Sequence, residues 1–238
     1  MFNSKYLSRF CYPLLIFTRR VLLFIKDVFF TPPISQKPFI EMIFDKKAAK
    51  VPRILQKRYS LIPYSTNYLL LTGTINISIS KIFNIFAPLF KFIGSLPFYP
   101  EKNIPVTVEL ISEQASDKIL MNRTFHYHQK PAYHFNSKII HIKDNVVLEL
   151  MQFGMAAKLI YRLEANKIIM DYGGYFLQVG RWRMPLPLGW VIGKFSACET
   201  AIDDAKFSMV VSLQHPVFGK IYQYDGIFTI EEDNRPLA

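Results

Sequence analysis

The chain has 238 residues, of which 50% are apolar and 15% aromatic, so it can bury one sizeable core. Its two cysteines, Cys11 and Cys198, lie far apart, which argues against a disulfide framework and favours a reducing compartment. The net charge of +11 is concentrated in residues 1–66, which hold 12 Lys/Arg and three acids, so it does not indicate a nucleic-acid-binding body.

Residues 1–36 are predicted to form an amphipathic N-terminal segment. Arg19-Arg20 and Lys26-Asp27 interrupt the apolar run at residues 10–30, which is then shorter than the roughly 20 apolar residues of a transmembrane helix. No small-residue cleavage site of a signal peptide follows. On a helix the charged side chains fall within an arc of roughly 120°, opposite the apolar ones. The apolar side comprises Leu14, Phe17, Val21, Phe24, Ile25 and Val28.

A cationic, aromatic-rich amphipathic helix is typical of a segment that lies in a membrane interface. We therefore predict a cytoplasmic, peripheral membrane protein that binds a surface containing anionic lipid. The predicted membrane-contact residues are Leu14, Phe17, Arg19, Arg20, Val21, Phe24 and Lys26. Two alternatives stay open, because the apolar face could dock on the chain's own domain or the segment could be a poorly cleaved signal or anchor.

Residues 37–230 are predicted to form a single β-rich domain, followed by an acidic disordered tail at 231–238. Residues 38–60 have a mixed helical pattern with a basic cluster from Lys46 to Arg58, which we interpret as a solvated helix face. Residues 67–80 alternate as a strand does, and residues 81–96 form an apolar helix that Pro88 is expected to interrupt.

From Pro105 onward, strand-like runs flank short turn sequences, which favours successive antiparallel hairpins. The predicted strands are Val106–Ile111, Ile119–His128, Tyr133–Ile142, Val146–Met151, Ala156–Glu164, Lys167–Tyr172, Phe207–Leu213 and Lys220–Ile230. The predicted fold class is α+β, with a mainly antiparallel β-sheet, curved or barrel-like, and N-terminal helices.

The stretch Gly173–Trp190 combines an aromatic strand, a break at Gly180 and the cationic-aromatic run Arg181-Trp182-Arg183. Proline cannot donate a hydrogen bond to a strand ladder, so Pro185 and Pro187 are expected to end the pairing. We interpret this stretch as a corner of the antiparallel sheet.

Glu149 lies in an apolar strand and would be costly to bury without a partner such as Arg123 or Arg162. Structural pairing is the favoured interpretation, and an acid or base with a raised pKa is the alternative. Glu199 has the same two interpretations. The candidate ligand-binding residues are Arg123, Phe125, Glu149, Tyr175, Arg181 and Glu199.

His126 and His128 share one face of a predicted strand and could approach one metal with His134 or His141. A zinc site needs three or four protein ligands and no cysteine lies nearby, so hydrogen-bonded strand histidines are favoured and no metal is expected. Gly189–Lys194 has three residues between its glycines rather than the four of a phosphate loop. Neither G-x-G-x-x-G nor G-x-S-x-G occurs, so no cofactor is expected either.

The order of several short motifs resembles the bacterial family called domain of unknown function 4166, over roughly residues 50–230. The motifs are Asn122-Arg123-Thr124-Phe125, Phe135–Lys138, Val147–Phe153, Gly174-Tyr175-Phe176-Leu177, Pro185-Leu186-Pro187, Glu199, Phe207, His215-Pro216, Gly219, Tyr222, Tyr224 and Gly226. Asn122 departs from the family, whose members often carry tryptophan there. The resemblance implies a β-rich domain without an assigned reaction, and it supplies no catalytic residues.

The leading hypothesis is a non-catalytic peripheral membrane domain whose curved sheet shelters an apolar, lipid-like ligand. The first alternative is an enzyme with Arg123, Glu149 and Glu199 in one pocket. The second is an accessory module of a separate saccharopine-dehydrogenase-like protein, because some family members are fused to such a domain. The sequence names no protein partner.

Overall fold

The structure, a computed structural model, describes residues 37–180 and 182–231, which form four helices, two 3₁₀ segments and eleven strands. The helices are α1 (Phe39–Phe44), α2 (Arg53–Arg58), α3 (Phe83–Phe92) and α4 (Leu188–Val191), and the 3₁₀ segments are Asp45–Lys50 and Gln152–Gly154. The strands are β1 (Tyr68–Ile79), β2 (Glu101–Ser112), β3 (Lys118–Phe125), β4 (Tyr133–Lys143), β5 (Val146–Leu150), β6 (Met155–Glu164), β7 (Lys167–Val179), β8 (Trp182–Leu186), β9 (Lys194–Ala201), β10 (Lys206–His215) and β11 (Gly219–Glu231).

Ten of these eleven described strands close into an antiparallel barrel. Around the wall, β1 to β7 follow one another in chain order, then come β9, β10 and β11, and β11 pairs with β1. β8 lies outside this circuit and pairs with β7. Closure removes the exposed edges that an open sheet would present to other chains.

The barrel wall follows the period-two pattern of the sequence. In β3, Met121, Arg123 and Phe125 are buried and line the interior, whereas Asn122 and Thr124 between them are half-buried. Successive side chains of a strand point to opposite faces, so each strand contributes alternate residues to one central core. That core includes residues from all ten barrel strands and from the helices at both ends.

Helices occupy both ends of the barrel, which we name the α2 end and the α3 end. The α2 end lies where β1 begins, next to α1 and α2. The α3 end lies where β1 finishes, and α3 packs there with Phe83 against Tyr222 and Phe86 stacked on His215. Because antiparallel neighbours run in opposite directions, the β5–β6, β7–β8 and β10–β11 turns also lie at the α3 end.

The predicted antiparallel, barrel-like sheet is confirmed, but the helical part of the prediction is only loosely met. α1 and α2 have six residues each, so the class α+β overstates the helices of the described chain. Glu231 ends β11, and the rest of the predicted tail lies outside the described residues, as does the predicted segment 1–36. None of the helices in the described ranges has the length and hydropathy needed to cross a bilayer.

Three local predictions were wrong. α3 continues through Pro88, whose side chain is exposed and which costs the helix one backbone hydrogen bond without ending it. Pro185 lies inside β8 opposite Phe176, which is tolerated because β8 is an edge strand. β3 ends at Phe125, so His126 and His128, which were predicted to lie in this strand, lie beyond its end.

Candidate binding cavity

The barrel contains a cavity of about 90 Å³, and all ten barrel strands contribute to its lining. Tyr59 lines it at the α2 end, and Phe90, Ile93 and Leu96 close it at the α3 end. Most of the lining is apolar, and four of the lining side chains are methionines: Met121, Met151, Met170 and Met209. The polar side chains of the lining are Arg58, Tyr59, Ser95, Arg123, Glu149, Tyr161, Tyr175, Glu199 and Tyr224.

Arg123 and Glu149 form a buried ion pair on one side of the cavity. Arg123 Nη2 donates to Glu149 Oε1 over 2.7 Å, and the Ser137 hydroxyl donates to the same oxygen over 2.8 Å. Arg123 Nη1 donates to Ser137 Oγ over 3.2 Å, and the guanidinium lies 4.2 Å from the centre of the Phe135 ring. The neighbouring strands β3, β4 and β5 thus supply three side chains, Arg123, Ser137 and Glu149, that are hydrogen-bonded to one another within a mainly apolar wall.

Arg58 and Glu199 form a second buried pair, with much looser geometry. Arg58 Nε lies 3.7 Å from Glu199 Oε1, and the two residues are 7% and 1% exposed. Neither that Nε nor either Glu199 oxygen has a hydrogen bond of normal geometry among the described residues, and the buried Tyr59 hydroxyl is a nearby donor to the carboxylate. Burial is the largest single effect and acts to lower the pKa of Arg58, but the Glu199 charge and the neighbouring tyrosines together outweigh it and raise that pKa above its ordinary value. The guanidinium therefore stays charged, and this pair keeps unused hydrogen-bonding groups beside the cavity.

Five tyrosines, Tyr59, Tyr161, Tyr175, Tyr222 and Tyr224, are buried in or next to this region. Burial raises the pKa of each phenol above its ordinary value. The Glu199 charge adds to the effect for Tyr59 and Tyr161, whose rings meet edge to face with centres 6.0 Å apart. The folded chain thus holds these phenols in their neutral form.

These phenols make the stability of the protein fall at alkaline pH. An unfolded tyrosine titrates near pH 10, whereas the folded state keeps its proton, so stability is full below about pH 10 and is lost as pH rises towards the folded-state pKa values. Each buried phenol should contribute a loss of about 1.4 kcal/mol per pH unit above that point. Urea denaturation at about pH 8 and about pH 11 measures the loss. An unchanged free energy of unfolding between the two would contradict the buried, neutral phenols.

Five of the six candidate ligand-binding residues line the cavity, namely Arg123, Phe125, Glu149, Tyr175 and Glu199, whereas Arg181 lies outside the described residues. Glu149 pairs with Arg123, while Arg162 is exposed and bonds to Asp171 and Glu164. The interpretation of Arg58 as part of a solvated face was wrong. Sequence reasoning also missed the lining residues Tyr59, Tyr161 and Tyr224, of which Tyr224 was recoverable from the alternation of β11.

The histidines named as possible metal ligands make separate hydrogen bonds. His126 contacts Thr107, His128 contacts Glu101, His134 contacts Thr124, and His141 donates to the Asp144 carbonyl. Within residues 37–180 and 182–231, no three His, Cys, Asp or Glu side chains lie together as metal ligands would.

Beside the cavity, one edge of β7 pairs with two different strands along its length. β7 pairs with β9 from Lys167 to Met170 and with β8 from Tyr175 to Val179. Between these regions β7 and β9 separate, and the segment containing α4 occupies the space, with Ile192 lining the cavity. The β7–β9 ladder therefore ends at Met170, and Ile192 contributes to the cavity lining next to this gap in the ladder.

A family model described as Domain of unknown function (DUF4166) matches residues 51–228. No curated protein sequence gives a significant match. Among solved structures, Rv2717c from M. tuberculosis is similar over 68% of this chain and 91% of that chain, with 7% identity and a TM-score of 0.40. The dehydratase domain of the polyketide PpsC from Mycobacterium tuberculosis is similar over 79% and 82%, with 5% identity and a TM-score of 0.17. Both TM-scores are too low to support an argument about this chain.

Proposed function

The chain belongs to the DUF4166 family, whose model matches residues 51–228, and we propose that its barrel is a non-catalytic binding domain for a small apolar or lipid-like molecule. The observation that carries this proposal is the cavity inside the barrel, with its mainly apolar lining. An apolar pocket with a few convergent polar groups is the usual form of a small-molecule site. Here those polar groups are the two ion pairs and the phenols near Glu199.

The volume of the cavity limits the size of the ligand. At about 90 Å³ the cavity is smaller than the roughly 300–1,000 Å³ of typical ligand pockets, so it accepts a small molecule or the end of a longer one. Methionine side chains are unbranched and adapt to irregular shapes, so the four methionines of the lining give the cavity room to expand. The proposed ligand is therefore a compact apolar group with at least one hydrogen-bonding atom.

The unused hydrogen-bonding groups of Arg58 and Glu199 favour a ligand that carries a hydroxyl. Such a group can donate to a Glu199 oxygen and accept from Arg58 Nε, and so satisfy two buried atoms that otherwise lack partners. A purely apolar ligand would leave both of them unsatisfied. The proposed access route is the place beside α4 where β7 and β9 separate. Widening this gap would break no β7–β9 backbone hydrogen bonds, because the two strands are not paired there.

A second candidate function, an enzyme, is favoured by one observation: Arg123, Glu149 and Glu199 line the same cavity. Arg123 and Glu149 are hydrogen-bonded to each other, so Glu199, whose ion pair with Arg58 is longer, is the carboxylate that this hypothesis places against a bound molecule. The two candidates predict different results for the ligand: a binding domain releases it chemically unchanged, whereas an enzyme alters it.

The proposal also keeps the protein at a membrane surface through residues 1–36. An apolar ligand partitions into lipid, so a peripheral position would bring the barrel to the source of its ligand. The support for this location is the amphipathic pattern of the sequence.

Filling the cavity should abolish ligand binding without unfolding the protein. Ala157 on β6 lines the cavity and is 7% exposed, and Ala157→Leu places three additional carbon atoms there. The affinity of the full-length chain for the small fluorophore 2-naphthol, a compact apolar molecule with one hydroxyl, should fall at least about tenfold, as fluorescence titration measures. Ala157→Val, a smaller change, replaces this variant if it fails to fold.

Ala205→Leu is the matched control, because it adds the same atoms at an exposed position in the β9–β10 turn. The control should bind the fluorophore as the wild type does. Equal binding by the Ala157 variant, or a wild type that binds no fluorophore, would overturn the proposal. Recovery of a chemically altered ligand after incubation would instead support the enzyme.

A further inference from the structure

The six most exposed large apolar side chains of the described residues all lie at the α3 end. We name them the apolar rim: Ile85, Phe92, Phe153, Trp182, Trp190 and Val217, each between 61% and 77% exposed. They come from α3, the β5–β6 turn, β8, α4 and the β10–β11 turn, which are distant in sequence but adjacent at this end. Single exposed apolar residues are ordinary, whereas a cluster of this kind marks an interaction surface.

Aromatic contacts hold the apolar rim together. Phe92 stacks on Phe153 with ring centres 4.7 Å apart, which joins α3 to the β5–β6 turn. Phe86 of α3 stacks on His215 at 5.6 Å, and His215 lies 4.7 Å from Phe218 in the β10–β11 turn. α3 thus fixes the positions of two other parts of the rim.

Exposed lysines surround the apolar rim. They are Lys81, Lys91, Lys102, Lys130, Lys194 and Lys220, which lie in or next to the connections at the α3 end. Glu101, an acidic residue at the start of β2 at this end, bonds to His128. At the α2 end the turns and strand ends carry acids, namely Glu113, Asp117, Asp144, Glu164, Asp203 and Asp204. Basic residues lie at that end too, namely Lys46, Lys47, Lys50, Arg53, Lys57, Lys118, Lys143, Lys167 and Lys206. The apolar end is therefore mainly cationic, whereas the opposite end carries charges of both signs.

We propose that the apolar rim is a docking surface for a bilayer that contains anionic lipid. Tryptophan is favoured at the membrane–water interface, where the ring lies among the headgroups. Lysines around inserted apolar side chains attract the anionic headgroups. This surface is separate from residues 1–36, and it directs the α3 end, with α4 and the β7–β9 separation, towards the lipid.

The two tryptophans of the chain provide a direct test, because Trp182 and Trp190 both belong to the apolar rim. Full-length protein is mixed with vesicles of phosphatidylglycerol and phosphatidylcholine in equal parts. The tryptophan emission should shift to shorter wavelength and be quenched by brominated acyl chains. Vesicles of phosphatidylcholine alone should produce a smaller shift. Co-sedimentation without any change in tryptophan emission would overturn the proposal, since another surface would then carry the binding.

A pair of variants tests the apolar rim without altering the tryptophans. Ile85→Ser with Val217→Ser removes two rim side chains and should weaken vesicle binding at least about tenfold. The matched control is Ile202→Ser with Val210→Ser, two exposed residues away from the α3 end. The control should bind as the wild type does. Equal losses in the two variants, or no association of the wild type with anionic vesicles, would overturn the proposal.

Discussion

Replacing Arg123 with methionine is expected to lower the free energy of unfolding by about 3–5 kcal/mol, the usual effect of leaving one charge of a buried ion pair uncompensated. In this variant the buried Glu149 carboxylate loses the guanidinium and keeps the Ser137 hydroxyl as its donor. Methionine retains an extended apolar side chain against Phe135, so most of the loss comes from the charge.

Replacing both partners, as Arg123→Met with Glu149→Leu, should restore most of the lost stability, because no buried charge is then left without its partner. Urea denaturation of the full-length chain measures the single and double variants. Lys138→Met, at an exposed position of β4, is the matched control and should change stability by less than about 0.5 kcal/mol. A single Arg123→Met variant as stable as the wild type would refute the buried pair.

Deleting residues 1–36 is expected to move most of the protein from the membrane fraction to the soluble fraction. The segment combines a predicted apolar helix face with Arg19, Arg20 and Lys26, each of which is expected to add on the order of 1 kcal/mol near an anionic surface. Apolar burial and charge attraction act together in such a segment, as stable anchoring generally requires. The apolar rim alone should retain a residual fraction, because it lacks an inserted helix. Fractionation of cell lysates measures the distribution.

Reversing Arg19 and Arg20 to glutamate distinguishes the contribution of charge attraction from that of apolar burial. Binding to anionic vesicles should weaken far more than binding to neutral ones, and high salt should reproduce part of the loss because exposed charges are screened within about 10 Å at 0.1 M. A truncated chain that is insoluble, together with a full-length chain that ignores vesicles, would show that the segment packs in the domain.

The sequence was sufficient to predict a curved antiparallel sheet and a buried partner for Glu149. Alternating side chains placed Arg123 and Glu149 among apolar neighbours, and the cost of an unpaired buried charge then required an arginine partner, for which Arg123 and Arg162 were the candidates. Both inferences rest on local periodicity and on a pairwise energy, which a sequence contains. The antiparallel order followed from short turns between neighbouring strands.

The second ion pair could not be predicted, because it depends on tertiary placement. Arg58 belongs to a helix of six residues whose basic neighbours are those of a solvated face, and only the packing of α2 at the barrel end buries it against Glu199. β9, which carries Glu199, was not predicted because its small and polar residues, as in Ser196-Ala197-Cys198, give a weak strand signal. The apolar rim could not be predicted either, because its residues lie in five separate segments that only the tertiary structure brings to one end of the barrel.

Native mass spectrometry of the full-length protein, purified from cells without detergent, tests most directly whether the barrel holds a ligand. The account predicts folded protein heavier than its sequence, with the excess mass lost on unfolding and recovered in an organic extract as an apolar molecule that carries a hydroxyl. The Ala157→Leu variant should lack this mass, and Ala205→Leu should keep it. Folded wild-type protein at its bare sequence mass, with an extract no richer than that of Ala157→Leu, would contradict the account.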